Sequence, residues 1–258
     1  MIKTANIGAI EHLLKEYPLE TINVAGRMKN NGGAFLYLFD EEKPKSFLQE
    51  DDGWYALFSK EKEEVHRYLR EFPFPERVHF SGVPLDIAEV ILKSFPGYEE
   101  DWKEPCFLYY LPMEKHSDYL QGAGEPLESI SEKDIDRVNH FYTYKEEGSR
   151  EYLLECIRKR PSSVIRNEKG EPISWALVRE DHSMGVMYTV EEHRKRGLAM
   201  EVSRDLISKV IRTGSIPYVH IVETNTASCK LAEELGMIRW GKILWFGMKK
   251  MHEDSENH

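Results

Sequence analysis

The sequence predicts an α/β protein in two parts, with the clearer of the two at its C-terminal end. Three observations lead there. From residue 131 onward, stretches of helical periodicity alternate with short apolar stretches of strand type. Turn residues such as "NEKG" and glycines such as Gly214 and Gly236 close several of these stretches. Between the halves lies a polar, glycine-containing break, "KHSDYLQGAGEPLES". It sets a boundary near Gln121 and divides the 258 residues into 1–121 and 122–258.

The first part reads as mixed elements. "IGAIEHLLKEY" has helical spacing, and "GAFLYLF" and "WYALF" have the aromatic and aliphatic content of strands. A polar-faced helix in "KEKEEVHRYLREF" follows, then a strand in "RVHFSG", a helix in "PLDIAEVILKSF" and a strand in "PCFLYYLP". In the second part, "SEKD" is a capping-box pattern that opens a helix reaching about Tyr142, and "SREYLLECIRK" is a second helix. "SSVIRN", "PISWALVRE" and "VMYTV" are strands, the second apolar enough to be covered on both faces. Leu198, Val202, Leu206 and Val210 form one helical stripe, joined by Ile207 and Ile211. "PYVHIVE" (strand), "NTASCKLAEELG" (helix) and "KILWFGM" (strand) complete the order. The first part loosely echoes this order, but its corresponding turn, "FSKEKEEVHRY", carries no glycine.

Composition excludes several classes. Apolar residues make up 41% and charged residues 31%, which suits a globular chain and not a disordered one. The net charge of −10 disfavours nucleic acid as a partner. Cys106, Cys156 and Cys229 are too widely spaced for a metal pair or a disulfide framework, so no metal site is expected. No apolar run has the length of a membrane span, and the N-terminus lacks a signal-peptide core. A soluble, cytoplasmic protein is the expectation, with no membrane partner; a homodimer is left open.

Against that acidic background "EEHRKRGLAM" stands out. A strand feeds a short connection and then a helix, whose first peptide N–H groups have no partner inside it. The helix dipole adds positive character at the same end. Gly197 lets an anion approach the backbone, Ala199 keeps the next position small, and Arg194, Lys195 and Arg196 add full charges. On these residues alone a solvated basic turn is the simpler reading.

In context they resemble the acyl-CoA signature of the GNAT superfamily of N-acyltransferases, Arg/Gln-x-x-Gly-x-Gly/Ala, with Arg194, Gly197 and Ala199 at its fixed positions. "MYTVEEH" resembles the strand and bulged turn that lead into the signature, and "ETNTASCKLAEELGM" resembles the family's second motif. "PISWALVRED" together with "MYTVEEHRKRGLA" is most similar to the glycine N-acyltransferase-like branch. The resemblance implies a mixed, splayed central sheet in the C-terminal half. A smaller α/β N-terminal domain precedes it, and its echo suggests a degenerate GNAT-like half. Acetyl-CoA or another acyl-CoA is then the co-substrate, and the amine of a small molecule or amino acid the acceptor.

Carried over residue by residue, the amides of Arg194, Lys195, Arg196, Gly197, Leu198 and Ala199 would hold the CoA pyrophosphate. Backbone groups of Tyr188, Thr189 and Val190 would pair with the pantetheine arm, which requires two strands to part after Val190 and around Glu223. Asn225 and Ser228 would complete the cofactor site, although Asn225 is equally a good helix N-cap. Glu223 is the candidate base and Tyr188 a second catalytic candidate. The position where many members carry a proton-donating tyrosine is Ala232, and the glutamate of the glycine enzymes is absent near Ser183. A non-catalytic module that binds CoA or acyl-CoA is therefore the alternative.

Overall fold

The computed structural model describes residues 1–30, 33–40, 42–122 and 124–251. It resolves into two compact units, Met1–Phe107 with Gly241–His258, and Leu108–Trp240. The division lies upstream of Gln121, and the last strand counts with the first unit. The segment expected as a linker is docked in the second unit. There Lys115 Nζ and Tyr119 Oη donate to the carbonyls of Gly236 (2.8 Å) and Leu235 (2.6 Å), and Ser208 Oγ donates to Tyr119 O.

The first unit contains β1 (Ile2–Thr4), α1 (Glu11–Glu16), α2 (Ile22–Asn30), β2 (Phe35–Leu38), β3 (Ser46–Asp51), β4 (Trp54–Ser59), α3 (Lys62–Glu71), β5 (Arg77–Pro84) and α4 (Leu85–Ser94). β6 (Tyr98–Tyr110) ends, and the last strand (Ile238–Lys250) begins, in the other unit. Strands β1 to β4 are antiparallel neighbours. β5 runs parallel to β4, with Trp54 opposite His79 and Tyr55 opposite Phe80. Apolar clusters cover the two faces, one including Val65, Tyr68, Ile87, Phe80 and Phe246, the other Ile10, Leu13, Leu36 and Phe47.

β3 and α2 carry no clear periodicity, because their facing sides are polar. Arg27 Nη1 and Asp51 Oδ2 are buried and lie 3.1 Å apart. Gln49 Nε2 donates to Val24 O, and Asn23 Nδ2 donates to Ser81 O at 2.8 Å.

The second unit follows the predicted order closely. Ser131 and Asp134 form the capping box, and the first helix closes at His140. α5 is His116–Gln121, α6 Ile135–His140 and α7 Ser149–Lys159; β7 (Ser162–Arg166), β8 (Pro172–Val178) and β9 (Met184–Thr189) form an antiparallel sheet of their own. β8 is buried along its whole length, as its continuous apolar run predicts. α8 (Leu198–Arg212), β10 (Tyr218–Val222), α9 (Thr226–Glu234) and β11 (Ile238–Lys250) follow. β10 is hydrogen-bonded to β6 and belongs to a different sheet from β9.

Replacing Asp51 by alanine removes a buried carboxylate partner of the Arg27 guanidinium. It is expected to lower the unfolding free energy by about 3–5 kcal/mol, measured by urea denaturation.

Candidate functional site

The site is built along β9. Its ladder to β8 passes from Trp175–Tyr188 to Leu177–Gly185, two residues on β8 against three on β9. The extra residue makes a bulge, and Val186 there has φ of 49°. For a β-branched side chain that conformation is strained by roughly 1–3 kcal/mol, so packing must enforce it.

Beyond the bulge, Val190 N–H donates to Ile173 O at 2.9 Å. By antiparallel alternation the peptide groups of Tyr188 and Val190 face β8, and those of Thr189 face away from it. Of these three residues, Thr189 therefore turns its peptide groups away from β8. Its side chain meets Ser174 Oγ at 2.8 Å.

The chain then turns into α8. Lys195 (φ 60°) and Gly197 (φ 78°) are both left-handed, and Gly197 is the N-cap. No side chain caps the helix, and a Cβ placed on Gly197 would meet nothing within 4 Å. The start of α8 thus has no side-chain cap, and the helix dipole lies behind it. Lys195 and Arg196 are exposed, and Arg196 Nη1 lies 2.9 Å from His193 Nδ1. Arg194 folds back instead. Its Nε donates to Thr189 O (3.1 Å), its Nη2 donates to Tyr188 Oη (3.3 Å), and the guanidinium lies over the Tyr188 ring.

Tyr188 is half-buried between Phe141, stacked at 4.6 Å, and Trp175 at 5.4 Å. Glu223 is half-buried in the turn directly after β10, and Asn225 follows. Asn225 Oδ1 accepts from Ser228 N–H at 3.1 Å, so the N-cap function is present in full.

The FR47-like protein family model matches residues 164–246, the stretch that holds all of these elements except α6 and α7. The "Glycine N-acyltransferase" of Rattus norvegicus is 30% identical over 163 residues, 61% of this chain and 51% of its own. The chain thus spans about half the length of that relative. The "Glycine N-acyltransferase-like protein" of Mus musculus is 28% identical over 267 residues, 88% of this chain and 90% of its own. Among solved structures, a tandem GNAT protein from the clavulanic acid biosynthesis pathway has a TM-score of 0.56 at 11% identity, over 97% of this chain and 98% of that one. The chain has the GNAT fold. A Drosophila protein shares it more closely, with a TM-score of 0.79 at 16% identity and 95% of each chain covered.

Within this fold, Ala232 on α9 is buried. A tyrosine does approach the same helix from β6: Tyr109 Oη donates to Glu233 Oε1 at 3.0 Å. Burial first, and then the Glu233 carboxylate, push its phenol up to about 12.

Sequence reasoning passed over Arg179. It follows β8, and its stem crosses β9 at Gly185, where a Cβ would sit 2.9 Å from Arg179 Cδ. Its Nε donates to Tyr152 Oη at 3.3 Å, and Tyr152 Oη donates to Glu180 Oε2 at 2.5 Å. The available signal was a glycine one residue before the bulge.

If the N-cap bond is the main role of Asn225, Asn225→Ala lowers thermal stability by about 1 kcal/mol without ligand. A purely ligand-binding Asn225 would leave the melting temperature of the ligand-free protein unchanged.

Proposed function

We propose that this protein is an N-acyltransferase that moves an acetyl or short acyl group from acyl-CoA directly to the amine of a small molecule or amino acid. The observation that carries the reading is the uncapped start of α8 at Gly197, set at the end of a bulged strand that its next parallel-order neighbour, β10, does not join. A diphosphate at the start of α8 would direct the pantetheine arm along the free side of β9, toward Thr189 and the bulge. The names of the curated relatives favour an amino-acid acceptor.

In the reaction the amine nitrogen attacks the thioester carbonyl, the C–S bond breaks, and an amide and CoA thiol result. The nitrogen gives up one proton and the thiolate gains one, so no other reactant is needed. Glu223 would accept the amine's proton, directly or through water. The carbonyl oxygen gains charge in the transition state. A peptide N–H at the bulge, where the ladder shifts register around Val186–Met187, suits that charge. Tyr188 serves as an aromatic wall whose hydroxyl is tied to Arg194.

The alternative, a module that binds CoA without turnover, is favoured by one observation, the alanine at 232.

Gly197→Glu puts a carboxylate at the anion position and strains a left-handed backbone, so CoA affinity is expected to fall by about 100-fold or more in calorimetry. With acetyl-CoA and an amine panel, thiol release should show turnover in the wild type. Glu223→Gln is expected to lower kcat by roughly 10²- to 10⁴-fold with CoA affinity retained. Tight CoA binding with no turnover on any amine would support the binding module instead.

A further inference from the structure

We infer that Arg194 is a latch on the edge of β9: its side chain holds the Thr189 carbonyl until a diphosphate at the start of α8 draws it away. The inference rests on the acyl-transfer reading and couples the phosphate end of that site to the pantetheine end.

The turn after β9 builds the placement. His193 N–H donates to Val190 O at 2.9 Å, and Arg194 N–H donates to Glu191 O at 3.1 Å. Arg194 is extended, with φ of −67° and ψ of 164°, and the left-handed Lys195 (φ 60°) then reverses the chain. The Arg194 side chain is thereby carried back onto the strand, while Lys195 and Arg196 are exposed. The peptide N–H of Arg194 is already bonded within the turn. What this residue can offer a phosphate is its guanidinium.

That guanidinium spans the corner between the edge of β9 and its α6–α7 face. At the edge, Nε donates to Thr189 O (3.1 Å), the carbonyl turned away from β8. Over the face, Nη2 donates to Tyr188 Oη (3.3 Å), and the guanidinium carbon lies 5.5 Å from the ring centroid. Tyr188 is held between Phe141 and Trp175, so it is the arginine that can move. An extended ligand pairing with Thr189 meets this side chain first.

Every partner of the cation is uncharged: a carbonyl, a phenol and an aromatic ring. Among the described residues no carboxylate pairs with it, although Glu191 and Glu192 are close in the chain. Hydrogen bonds between a cation and an anion are roughly twice as strong as those to neutral groups. A diphosphate therefore outcompetes Thr189 and Tyr188 for the guanidinium, and the edge opens as the phosphates arrive. By linkage the two halves of the cofactor then bind cooperatively.

The test separates those halves. Calorimetry compares acetyl-CoA with S-acetylpantetheine, which has the arm and the thioester but no phosphate. Arg194→Ala should bind acetyl-CoA about 10- to 100-fold more weakly and S-acetylpantetheine about 3- to 10-fold more tightly. Arg194→Lys, which keeps the charge but not the planar fork, should fall between wild type and Arg194→Ala for both ligands. In the wild type, inorganic pyrophosphate should raise S-acetylpantetheine affinity by about 3- to 10-fold, and Arg194→Ala should abolish that rise. The fragment is uncharged, so direct attraction between the two ligands does not produce the coupling. Weaker binding of both ligands by Arg194→Ala overturns the latch and makes Arg194 a structural residue. Unchanged fragment affinity in the variant, or no pyrophosphate effect in the wild type, overturns it too and leaves a plain phosphate contact. Opposite shifts for the two ligands, with no turnover on any amine, keep the latch and remove the transferase. No binding of acetyl-CoA to the wild type removes both.

Discussion

The organisation of the second unit depends on one constraint: β9 has a hydrogen-bonded neighbour on one side and lacks one on the other. Every second peptide group is consumed by β8, as the Val190–Ile173 bond shows. The intervening groups point where β10 would lie in a continuous sheet, but β10 joins β6 instead. Backbone donors and acceptors turned from the sheet in this way take other partners: Thr189 O accepts from Arg194 Nε, and an extended chain with amides of its own could supply more. The pantetheine arm is such a chain. The bulge adds a further peptide group to β9, at Val186, the one β-branched residue with a left-handed backbone among the described residues.

The first unit repeats the order of elements but not this physics. There β4 stays paired with β5 at Trp54–His79 and Tyr55–Phe80. Its following helix, α3, starts after an extended Glu61 with Glu63 and Glu64 in the first turn. The nearby lysines are engaged, Lys45 with Glu61 and Lys60 with Glu16. Carboxylates at a helix N-terminus suit the dipole and repel phosphate. The buried Arg27–Asp51 pair sits within this unit, where a ligand-independent fold needs a fixed polar partner set.

How far the sequence reveals all this varies by element, for physical reasons. α7, β8 and α8 were legible because burial there is decided by apolar side chains, whose spacing is visible. β3 and α2 were not, because their buried polar side chains are held by distant partners, Arg27 by Asp51, Gln49 by the Val24 carbonyl and Asn23 by the Ser81 carbonyl, and pairing across 24 to 58 residues leaves no periodic trace. The helix start at Gly197 was legible from one glycine and its charged neighbours. The refolding of Arg194 onto Thr189 and Tyr188 was not, since it follows from the path of the turn. Arg179 was hidden for the same reason: only the register shift opposite Trp175 and Leu177 brings it over Gly185.

The leaving group poses the last question of mechanism, and Tyr109 decides it. It is the tyrosine that touches α9 near the vacant tyrosine position, yet it holds its proton too tightly to act as an acid. A thiol ionises near 8.5, whereas the Tyr109 phenol does so only at about 12, because burial and the Glu233 carboxylate both oppose its ionisation. Passing that proton to a thiolate would climb roughly 5 kcal/mol. On the acyl-transfer reading proposed above, Tyr109 is then a poor acid, and the thiolate would depart unprotonated or take its proton from water. A good leaving group makes this affordable. On that reading the barrier lies in forming the tetrahedral species, so a peptide donor for the carbonyl oxygen, and residues that orient the amine, would matter more than any acid on α9.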